Sequence, residues 1–350
     1  MLEQITLTNF RNHKTLRLNT KKKNIVLFGP NGAGKTNVLE AVSLLNGGSG
    51  LRRAQSADLA LFGSDEYAIA AAVVGGAELS VYWRAGMGHR KAKINGENAP
   101  LWGLSEHIGI VWLTPADDLL FVGPPSGRRV FLDNLAAGFD GAHAGRIARL
   151  SRLLSERAFA LKNNRDDEWL DLIEANIASA AAAVADARVR FAGEANHFFE
   201  GGEIALCGML ENKIINGEKA GDFEDFYRRY LAENRFLVAD KMTIDGAHRF
   251  DFSVMNQAVG LSADKTSSGQ QKLLLNKLVI ANAKLIKAKT PDRPLLILLD
   301  EADSHLDENA REKLFDELSG TSAQIWLTGT DLGKFSNIPE SINLELKMKN

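Results

Sequence analysis

The eight residues GPNGAGKT, from Gly29 to Thr36, limit the possible folds more than any other part of the chain. They match the phosphate-binding loop pattern G-x-x-x-x-G-K-[ST] at every fixed position. Glycines let backbone N–H groups converge on phosphate oxygens, because no Cβ atom stands in the way. The apolar run NIVLF precedes the loop, and the segment TNVLEAVSLLN, which has helical spacing, follows it. This strand–loop–helix order predicts a nucleoside triphosphate site in an α/β domain.

Two side chains of this loop are expected to act on the triphosphate directly. Lys35 would reach the outer phosphates, and the Thr36 hydroxyl would hold Mg²⁺. The other residues of the expected ATP-binding segment are Gly29, Pro30, Asn31, Gly32, Ala33, Gly34 and Asn37. A plain glycine turn before a helix is the alternative interpretation, and the strand before the loop argues against it.

A second acidic site is predicted near the end of the chain, in the segment PLLILLDEAD. Five apolar residues, Leu295 to Leu299, predict a buried strand that carries Asp300 and Glu301 at its carboxyl end. Asp300 can bind Mg²⁺ through water, and Glu301 can orient or deprotonate the attacking water. An acidic loop after a core strand is the alternative. The phosphate-binding loop favours the metal site, because a metal-bridged triphosphate needs both a carboxylate and a hydroxyl.

The composition is that of a soluble globular protein. The 350 residues are 45% hydrophobic and 25% charged. The apolar runs are too short to span a bilayer, no secretory signal pattern opens the sequence, and Cys207 is its single cysteine. We therefore expect a cytoplasmic protein. The net charge of −2 means that any nucleic-acid surface must be a local patch.

The first part of the chain has the alternating pattern of β-strands. LEQITLTNF and NIVLFG predict strands by alternation and by their β-branched residues. AIAAAVVGGAELSVYWRA and RKAKINGEN predict a small antiparallel sheet, with Asn95-Gly96 as its tight hairpin turn.

From about Asp140 the pattern becomes helical. GRIARLSRLLSERAFALKNN and the alanine-rich WLDLIEANIASAAAAVADARVRFAGEANHFF predict two long helices that form an antiparallel arm. The predicted apolar stripe of the first helix consists of Ile147, Leu150, Leu154, Ala158 and Leu161. The predicted domains are a discontinuous head, residues 1–125 and 245–350, and an inserted helical arm or lid, residues 126–244.

The segment TSSGQQK, residues 266–272, narrows the class of ATPase. Ser267, Gly269 and Gln270 precede the apolar helix KLLLNKLVIANAKLI and form a second helix start of the phosphate-binding type. A serine helix cap is the alternative. The position of this segment, shortly before the Asp300 strand, resembles the signature helix of ATP-binding-cassette ATPases. That resemblance implies that Ser267 contacts a γ-phosphate held by the other subunit of a dimer.

Two further segments separate the branches of that family. SHLD, residues 304–307, resembles the D-loop, and Thr330-Asp331 occupies the place of the switch histidine. The runner-up interpretation is a nucleotide-binding subunit of a membrane transporter. Such a subunit needs a switch histidine and a coupling glutamine, and the segments LTGTD and WLTPADD offer neither.

Five blocks together resemble the RecF family, bacterial recombination-repair ATPases related to the SMC proteins. The blocks stand in the family's order, and they are ITLTNFRNHKTLRL, GPNGAGKTNVLEAV, TPADDLLFVGPPSGRRVFLD, SSGQQKLLL and ILLDEADSHLD. The resemblance implies an α/β fold: an ATP-binding-cassette-type P-loop ATPase head, SMC-like, with an inserted helical arm. A departure from the pattern is that no glutamine marks a Q-loop near WLTPADD.

The resemblance also implies a function. Members of the family form ATP-dependent homodimers that bind single-stranded and gapped double-stranded DNA, hydrolyse ATP slowly, and help to load RecA together with RecO and RecR. ATP and Mg²⁺ are the implied cofactors. The implied catalytic residues are Lys35, Asp300 and Glu301, and Thr36 and Asp300 are the implied metal-binding pair.

Arg11, in the segment NFRNH, is the candidate for a contact with the adenine. Relatives place residues of this segment against the base, and an arginine can stack on it by a cation–π contact. A solvated arginine on a loop is the alternative. Asn12 and His13 are weaker candidates for the same surface.

DNA contacts are expected where basic residues cluster. Between residues 128 and 165, eight basic and three acidic side chains leave a local charge of +5. A basic stripe on one helix face suits phosphate contacts, although a solvated charged face is the alternative. The predicted DNA-binding residues are Arg128, Arg129, Arg146, Arg149 and Arg152, with Arg90, Lys91 and Lys93 of the hairpin HRKAKING as a second group.

Overall fold

The computed structural model of the protein describes residues 1–20, 24–163, 166–239, 244–302, 308–335, 338 and 341–346. The chain packs into two units, each with its own interior. The first unit combines Met1–Asp118 with Ser267–Asn350, and the second is Leu119–Thr266. The second unit is longer than the predicted insertion, 126–244, because the strand at 251–256 pairs with the strand at 202–207 and also with the strand at 261–262.

The strands and helices of the described residues are numbered in chain order. The strands are β1 (Leu2–Phe10), β2 (His13–Asn19), β3 (Asn24–Phe28), β4 (Glu66–Val73), β5 (Glu78–Arg84), β6 (Lys91–Ile94), β7 (Glu97–Ala99), β8 (Gly109–Leu113), β9 (Gly202–Cys207), β10 (Asp251–Asn256), β11 (Leu261–Ser262), β12 (Leu295–Leu299), β13 (Gln324–Gly329) and β14 (Ser341–Glu345). The helices are α1 (Lys35–Ser43), α2 (Leu104–His107), α3 (Pro125–Phe139), α4 (His143–Lys162), α5 (Asp167–Asn196), α6 (Met209–Ile215), α7 (Ala220–Glu233), α8 (Arg235–Ala239), α9 (Ser268–Lys289) and α10 (Glu308–Ser319). None of the helices described has both the length and the apolar composition that a bilayer crossing requires.

A parallel sheet forms one layer of the first unit. Its strand order is β14-β3-β13-β12-β8, and every neighbouring pair runs in the same direction. All residues of β12 and β13 are buried, as the apolar run PLLILL predicts for a strand covered on both faces. Because the strands are parallel, the chain leaves β3, β12 and β13 at the same edge of the sheet.

An antiparallel sheet forms a second layer of the first unit. Its order is β2-β1-β4-β5-β6-β7, so the small sheet predicted from β4 to β7 is larger than expected, because β1 pairs with β4 as well as β2. The predicted hairpin is confirmed: Ile94 pairs with Glu97 across a two-residue turn. Asn95 and Gly96 have φ angles of 52° and 83°, the left-handed conformation that such a turn requires.

Helix α1 is buried in the core that both sheets of the first unit share. Val38, Leu39 and Val42 are fully buried, in one cluster with Ile5 of β1 and Ile25 of β3. The helix ends at Ser43, and a 3₁₀ turn leads to a glycine at residue 47 with a φ of 78°. The predicted stop at the glycines after the helix is therefore confirmed, and the phosphate-binding loop is attached to a helix that has little freedom to move.

The second unit contains the two predicted long helices, α4 and α5, and the three-stranded sheet β11-β10-β9. The predicted apolar stripe of α4 is partly wrong. Leu150 is buried, but Ala158 is exposed, and the buried positions of α4 also include Leu153, Arg157 and Ala160. The other three residues of the predicted stripe are partly buried against the same cluster. Arg157 lies on this buried side as well, where it donates a 2.8 Å hydrogen bond to Glu174 of α5.

A second buried arginine of this unit joins α5 to α3 and α6. Arg188 of α5 forms a two-point ion pair with Asp133, at 2.8 and 2.9 Å, and a 3.0 Å bond to Glu211. Burial would raise the pKa of Asp133, but hydrogen bonds from His143 and Arg188 bring it below its ordinary value. Burial raises the pKa of Glu211. Some arginines of this unit are therefore buried, so an arginine-rich sequence here does not by itself mark an exposed DNA-binding surface.

Candidate functional site

The loop between β3 and α1 borders a cavity of about 400 Å³. At two of its glycines the backbone of the loop comes very close to neighbouring atoms. A Cβ atom on Gly29 would lie 2.3 Å from the carbonyl oxygen of Leu346, and one on Gly34 would lie 2.5 Å from side-chain atoms of Asn12 and His13. The two fixed glycines of the pattern thus let the loop fit closely against other parts of its own protein.

The charges around the cavity favour an anion. Lys35, Arg52 and Lys334 line it, with Glu301 as an acidic counterpart. The Lys35 ammonium donates hydrogen bonds to the carbonyl oxygens of its own loop, at 2.7 Å to Gly29 and 3.0 Å to residue 30. Helix α1 also begins here with no acidic residue in its first turn and no side-chain cap, so its positive end faces the loop region uncompensated.

Asp300, which follows β12, contacts the phosphate-binding loop, which follows β3 of the same sheet. Its Oδ1 accepts a 3.0 Å hydrogen bond from the Thr36 hydroxyl, although the two residues are 264 positions apart in the chain. The Thr328 hydroxyl donates to the same oxygen at 2.7 Å. Glu301, the next residue, lines the cavity. The predicted carboxylate and hydroxyl are thus in contact, and the predicted base lies beside them.

The contact between Thr36 and Asp300 fits a magnesium ion that keeps several of its waters. Among the residues that the structure describes, no three His, Cys, Asp or Glu side chains come together as a metal cluster. Magnesium is usually bound by one or two carboxylates together with substrate phosphates, and it does not need an all-protein cage. One carboxylate and one hydroxyl beside a phosphate-sized cavity are therefore a suitable set.

Arg11 is held in a different way from the one expected of an adenine contact. Its guanidinium donates two 2.8 Å hydrogen bonds to the buried Glu40 of α1 and one to the carbonyl oxygen of Asp58. The hydrogen bond with Glu40 raises the pKa of Arg11. Arg11 is not among the described residues that line the cavity. Its visible role is to fasten the segment NFRNH to α1, and its contact with a base stays a prediction.

Asn12 and His13, the weaker candidates in the sequence, contact residues that line the cavity. The Asn37 amide donates to Asn12 at 2.8 Å, and Arg52 donates to Asn37 at 3.0 Å. His13 Nε2 lies 3.3 Å from the carbonyl oxygen of Gly34. Arg52, which belongs to none of the predicted motifs, lines the cavity itself. The available signal was an arginine pair just after a glycine-rich turn, in GGSGLRR.

The segment at Ser267 is a helix cap and also an exposed helix tip. Ser267 Oγ accepts from the backbone N–H of Gln270 at 3.4 Å, and the Gln270 side chain accepts from the Ser267 N–H at 3.3 Å. Residues 267–270 are exposed, whereas most residues of α9 from Gln271 onwards are buried. The cap interpretation is therefore correct for the local structure. The exposure leaves the tip accessible to another molecule.

The segments expected to complete the site are only partly visible. SHLD, residues 304–307, lies outside the described residues. Asp331 is exposed, and its carboxylate accepts the N–H of Gly333 at 2.8 Å. In WLTPADD, Asp117 accepts from the backbone and hydroxyl of residue 114, and burial raises the pKa of Asp117. Asp118 lies 3.1 Å from the Lys272 ammonium, beside Asp300.

The predicted DNA-binding arginines divide into inward-held and exposed residues. Arg128 forms a two-point pair with Asp251 at 2.8 Å. Arg129 donates to a backbone carbonyl at 3.2 Å, and Arg146 pairs with an aspartate at 2.7 Å. Arg149 and Arg152 are exposed, with Arg152 3.6 Å from a glutamate one turn further on. The last basic residue of the cluster, at position 165, lies outside the described residues.

The hairpin group divides in the same way. Arg90 donates to the carbonyl oxygen of Gly48, and burial lowers the pKa of Arg90. Lys93 lies over the ring of Tyr82, 6.0 Å from its centroid. Lys91 is exposed on the same strand, β6. The structure therefore leaves Lys91, Arg149 and Arg152 as the accessible members of the predicted set.

The whole chain is similar to proteins of known family. The family model described as RecF/RecN/SMC N terminal domain matches residues 1–349. The DNA replication and repair protein RecF of Rhizobium meliloti (strain 1021) is 37% identical over 357 residues, covering 97% of this chain and 95% of that protein.

Two solved structures share the fold of the chain. They are described as the recombination mediator protein RecF in the RecFOR pathway, one with ATPrS and one with ATP. Their TM-scores are 0.85 and 0.84, at 20% sequence identity. The first comparison covers 99% of this chain and 96% of the other, and the second covers 100% and 98%. At this identity the likeness shows the fold alone, and it confirms the predicted SMC-like α/β head.

The close approach of Gly29 to Leu346 can be tested against Gly32, where a Cβ atom would meet nothing within 4 Å. Both glycines have positive φ, 140° and 85°, where a residue with a Cβ atom is strained. Only Gly29→Ala must also displace backbone. We expect its melting temperature, measured without nucleotide, to fall several degrees further than that of Gly32→Ala. Equal melting temperatures would contradict the close approach.

Proposed function

The chain belongs to the RecF family of DNA replication and repair proteins, and we propose that it is an ATP-dependent DNA-binding protein of recombinational repair and replication restart. The observation that carries the proposal is the hydrogen bond between Thr36 and Asp300 beside the cationic cavity. It joins the two groups that a magnesium-bound triphosphate requires. A transporter subunit is not favoured, because the relatives of the chain are RecF proteins.

ATP and Mg²⁺ are the proposed ligands of the cavity. A similar structure is described as RecF with ATP. In this chain the loop N–H groups and Lys35 would hold the phosphates, and Thr36 and Asp300 would hold the metal. Magnesium, when bound, would neutralise charge on the phosphate oxygens. Lys35 would exchange its bonds to the carbonyl oxygens of Gly29 and residue 30 for bonds to the ligand.

Glu301 is the proposed residue that orients the attacking water. It lines the cavity directly after the metal-binding aspartate, and a carboxylate in that place can accept the proton that the water loses. We propose a weak ATPase, stimulated by DNA, whose hydrolysis resets the protein after DNA binding. Lys35 and Asp300 complete the proposed catalytic set.

An ATP-dependent homodimer is the proposed working form. The exposed tip at residues 267–270 does not contribute to the cavity that the phosphate-binding loop borders. In a dimer Ser267, Gly269 and Gln270 of one protomer would meet the nucleotide held by the other. Helix N–H groups and small side chains suit that contact, because they can approach phosphate oxygens closely.

Single-stranded and gapped double-stranded DNA are the proposed nucleic-acid partners. The accessible basic residues Lys91, Arg149 and Arg152 would contact phosphates and would therefore bind without reading the base sequence. RecO and RecR are the proposed protein partners, and assistance in loading RecA is the proposed outcome. The solved RecF structures similar to this chain are described as part of a RecFOR pathway.

Nucleotide binding tests the phosphate-binding loop. Lys35→Ala removes a charge that lines the cavity, so we expect ATP affinity to fall by about tenfold to a hundredfold in isothermal titration calorimetry. Lys14→Ala is the matched control, since Lys14 is an exposed lysine of β2. If both variants bind ATP like the original protein, the assignment of the loop is wrong.

If two protomers share the ATP site, a substitution at Ser267 should prevent dimerisation without preventing ATP binding. Ser267→Arg should still bind ATP but should remain monomeric in sedimentation with ATP, because a bulky cation would obstruct the partner. Thr15→Arg adds the same side chain at an exposed position of β2 and should dimerise normally. A normal ATP-dependent dimer of Ser267→Arg would contradict the role across the interface.

Charge reversal tests the DNA surface. The double variant Arg149→Glu, Arg152→Glu should bind gapped DNA more weakly, and its affinity should depend less on salt because fewer phosphates are neutralised. The control is Arg228→Glu, Arg229→Glu, the same change of charge at exposed positions of α7. Equal losses in both double variants, measured by fluorescence anisotropy at several salt concentrations, would count against a local contact on α4.

A further inference from the structure

Thr328 lies beside the end of β12, in a position that is determined by the pairing of β13 with its neighbouring strands. It is the fifth residue of β13, and its side chain is fully buried. Its backbone pairs with Leu27 of β3, and the preceding residue, Leu327, pairs with Leu299 of β12. The parallel register therefore holds Thr328 next to the turn that follows Leu299.

Three polar contacts join Thr328 to three consecutive residues of that turn. Its hydroxyl donates to Asp300 Oδ1 at 2.7 Å and accepts from the backbone N–H of Glu301 at 2.8 Å. Its carbonyl oxygen accepts from the N–H of Ala302 at 3.1 Å. One buried residue thus holds the carboxylate of the first acidic residue and the backbone of the second.

The turn needs such support because Glu301 has an unfavourable backbone conformation. Its φ angle is 51°, in the left-handed region that costs free energy for a residue with a side chain. Conformations of this kind persist when surrounding contacts hold them, and they often occur at functional sites. The contacts on both sides of Glu301, at its own N–H and at the next one, come from Thr328.

We infer that Thr328 is a positioning residue of the ATP site. Its hydroxyl aligns the Asp300 carboxylate from the β13 side, while Thr36 aligns the same oxygen from the phosphate-binding loop. Its bonds to the turn determine the direction in which Glu301 leaves the backbone. The effect on ATP rests on the proposed function of this site, whereas the hold on the turn exists without nucleotide.

Two substitutions separate the hydroxyl from the volume of the side chain. Thr328→Val keeps the shape and removes the hydroxyl, and Thr328→Ser keeps the hydroxyl and loses a methyl group. If Thr328→Val does not accumulate as folded protein, Thr328→Ala removes the same hydroxyl. Thr321→Val is the matched control, because Thr321 is 3% exposed and its hydroxyl bonds to the carbonyl oxygen of Leu318 and the N–H of Ala323.

ATP affinity with and without Mg²⁺ is the first measurement. Loss of a hydrogen bond to a charged group should weaken binding of Thr328→Val by about tenfold or more in the presence of Mg²⁺. Its affinity in EDTA should stay within about twofold of the original protein, since the loop is intact. Thr328→Ser and Thr321→Val should keep the Mg²⁺-dependent affinity, although Thr321→Val should lose stability.

Hydrogen–deuterium exchange without nucleotide is the second measurement. In Thr328→Val the Glu301 N–H loses its acceptor, so the peptide that spans residues 295–302 should exchange faster than in the original protein and in Thr328→Ser. Unchanged exchange together with an unchanged Mg²⁺ effect in Thr328→Val would overturn the inference, as would a Thr328→Ser variant as impaired as Thr328→Val. Absence of ATP binding in the original protein would instead overturn the proposed function, and the exchange measurement would still test the hold on the turn.

Discussion

The parallel pairing of β3, β13 and β12 brings three strand ends to one edge of the sheet, and the site depends on that alignment. The first strand leads into the phosphate-binding loop, the last delivers Asp300 and Glu301, and the middle one supplies Thr328. Because β13 lies between the other two strands and is hydrogen-bonded to both, the groups at the three strand ends have little freedom to separate. The 3.0 Å contact of Thr36 with Asp300 is a direct consequence.

Helix α1 connects the phosphate-binding loop to the antiparallel sheet. Its buried Glu40 binds Arg11, which follows β1, so the segment NFRNH is attached to the helix that begins at Lys35. Asn12 and His13 then pack so closely against Gly34 that a Cβ atom there would force their side chains to move. The second sheet therefore helps to determine the shape of the phosphate-binding loop, although no residue of its own strands lines the described cavity.

The basic cluster of the second unit contains both exposed and inward-held arginines. Arg128 and Arg157 belong to a basic cluster in the sequence, yet each pairs with a carboxylate of the second unit, and Arg157 is buried. An arginine on an amphipathic helix has the same sequence signature whether it faces water or a buried glutamate. Glu174, the partner of Arg157, is 17 residues away on the next helix, so no local pattern could have shown the pair.

The sequence alone determined the strand–loop–helix unit, the acidic strand end, the hairpin at Asn95 and the cap at Ser267, because each depends on residues that are neighbours in the chain. Tertiary structure decided what depends on distant residues: the partners of Arg11 and Arg157, the size of the antiparallel sheet, and the place of Arg52 beside the cavity. Thr328 belongs to this second group. A threonine in a buried strand has no distinctive local pattern, and only the register of β13 against β12 places its hydroxyl on Asp300 and Glu301.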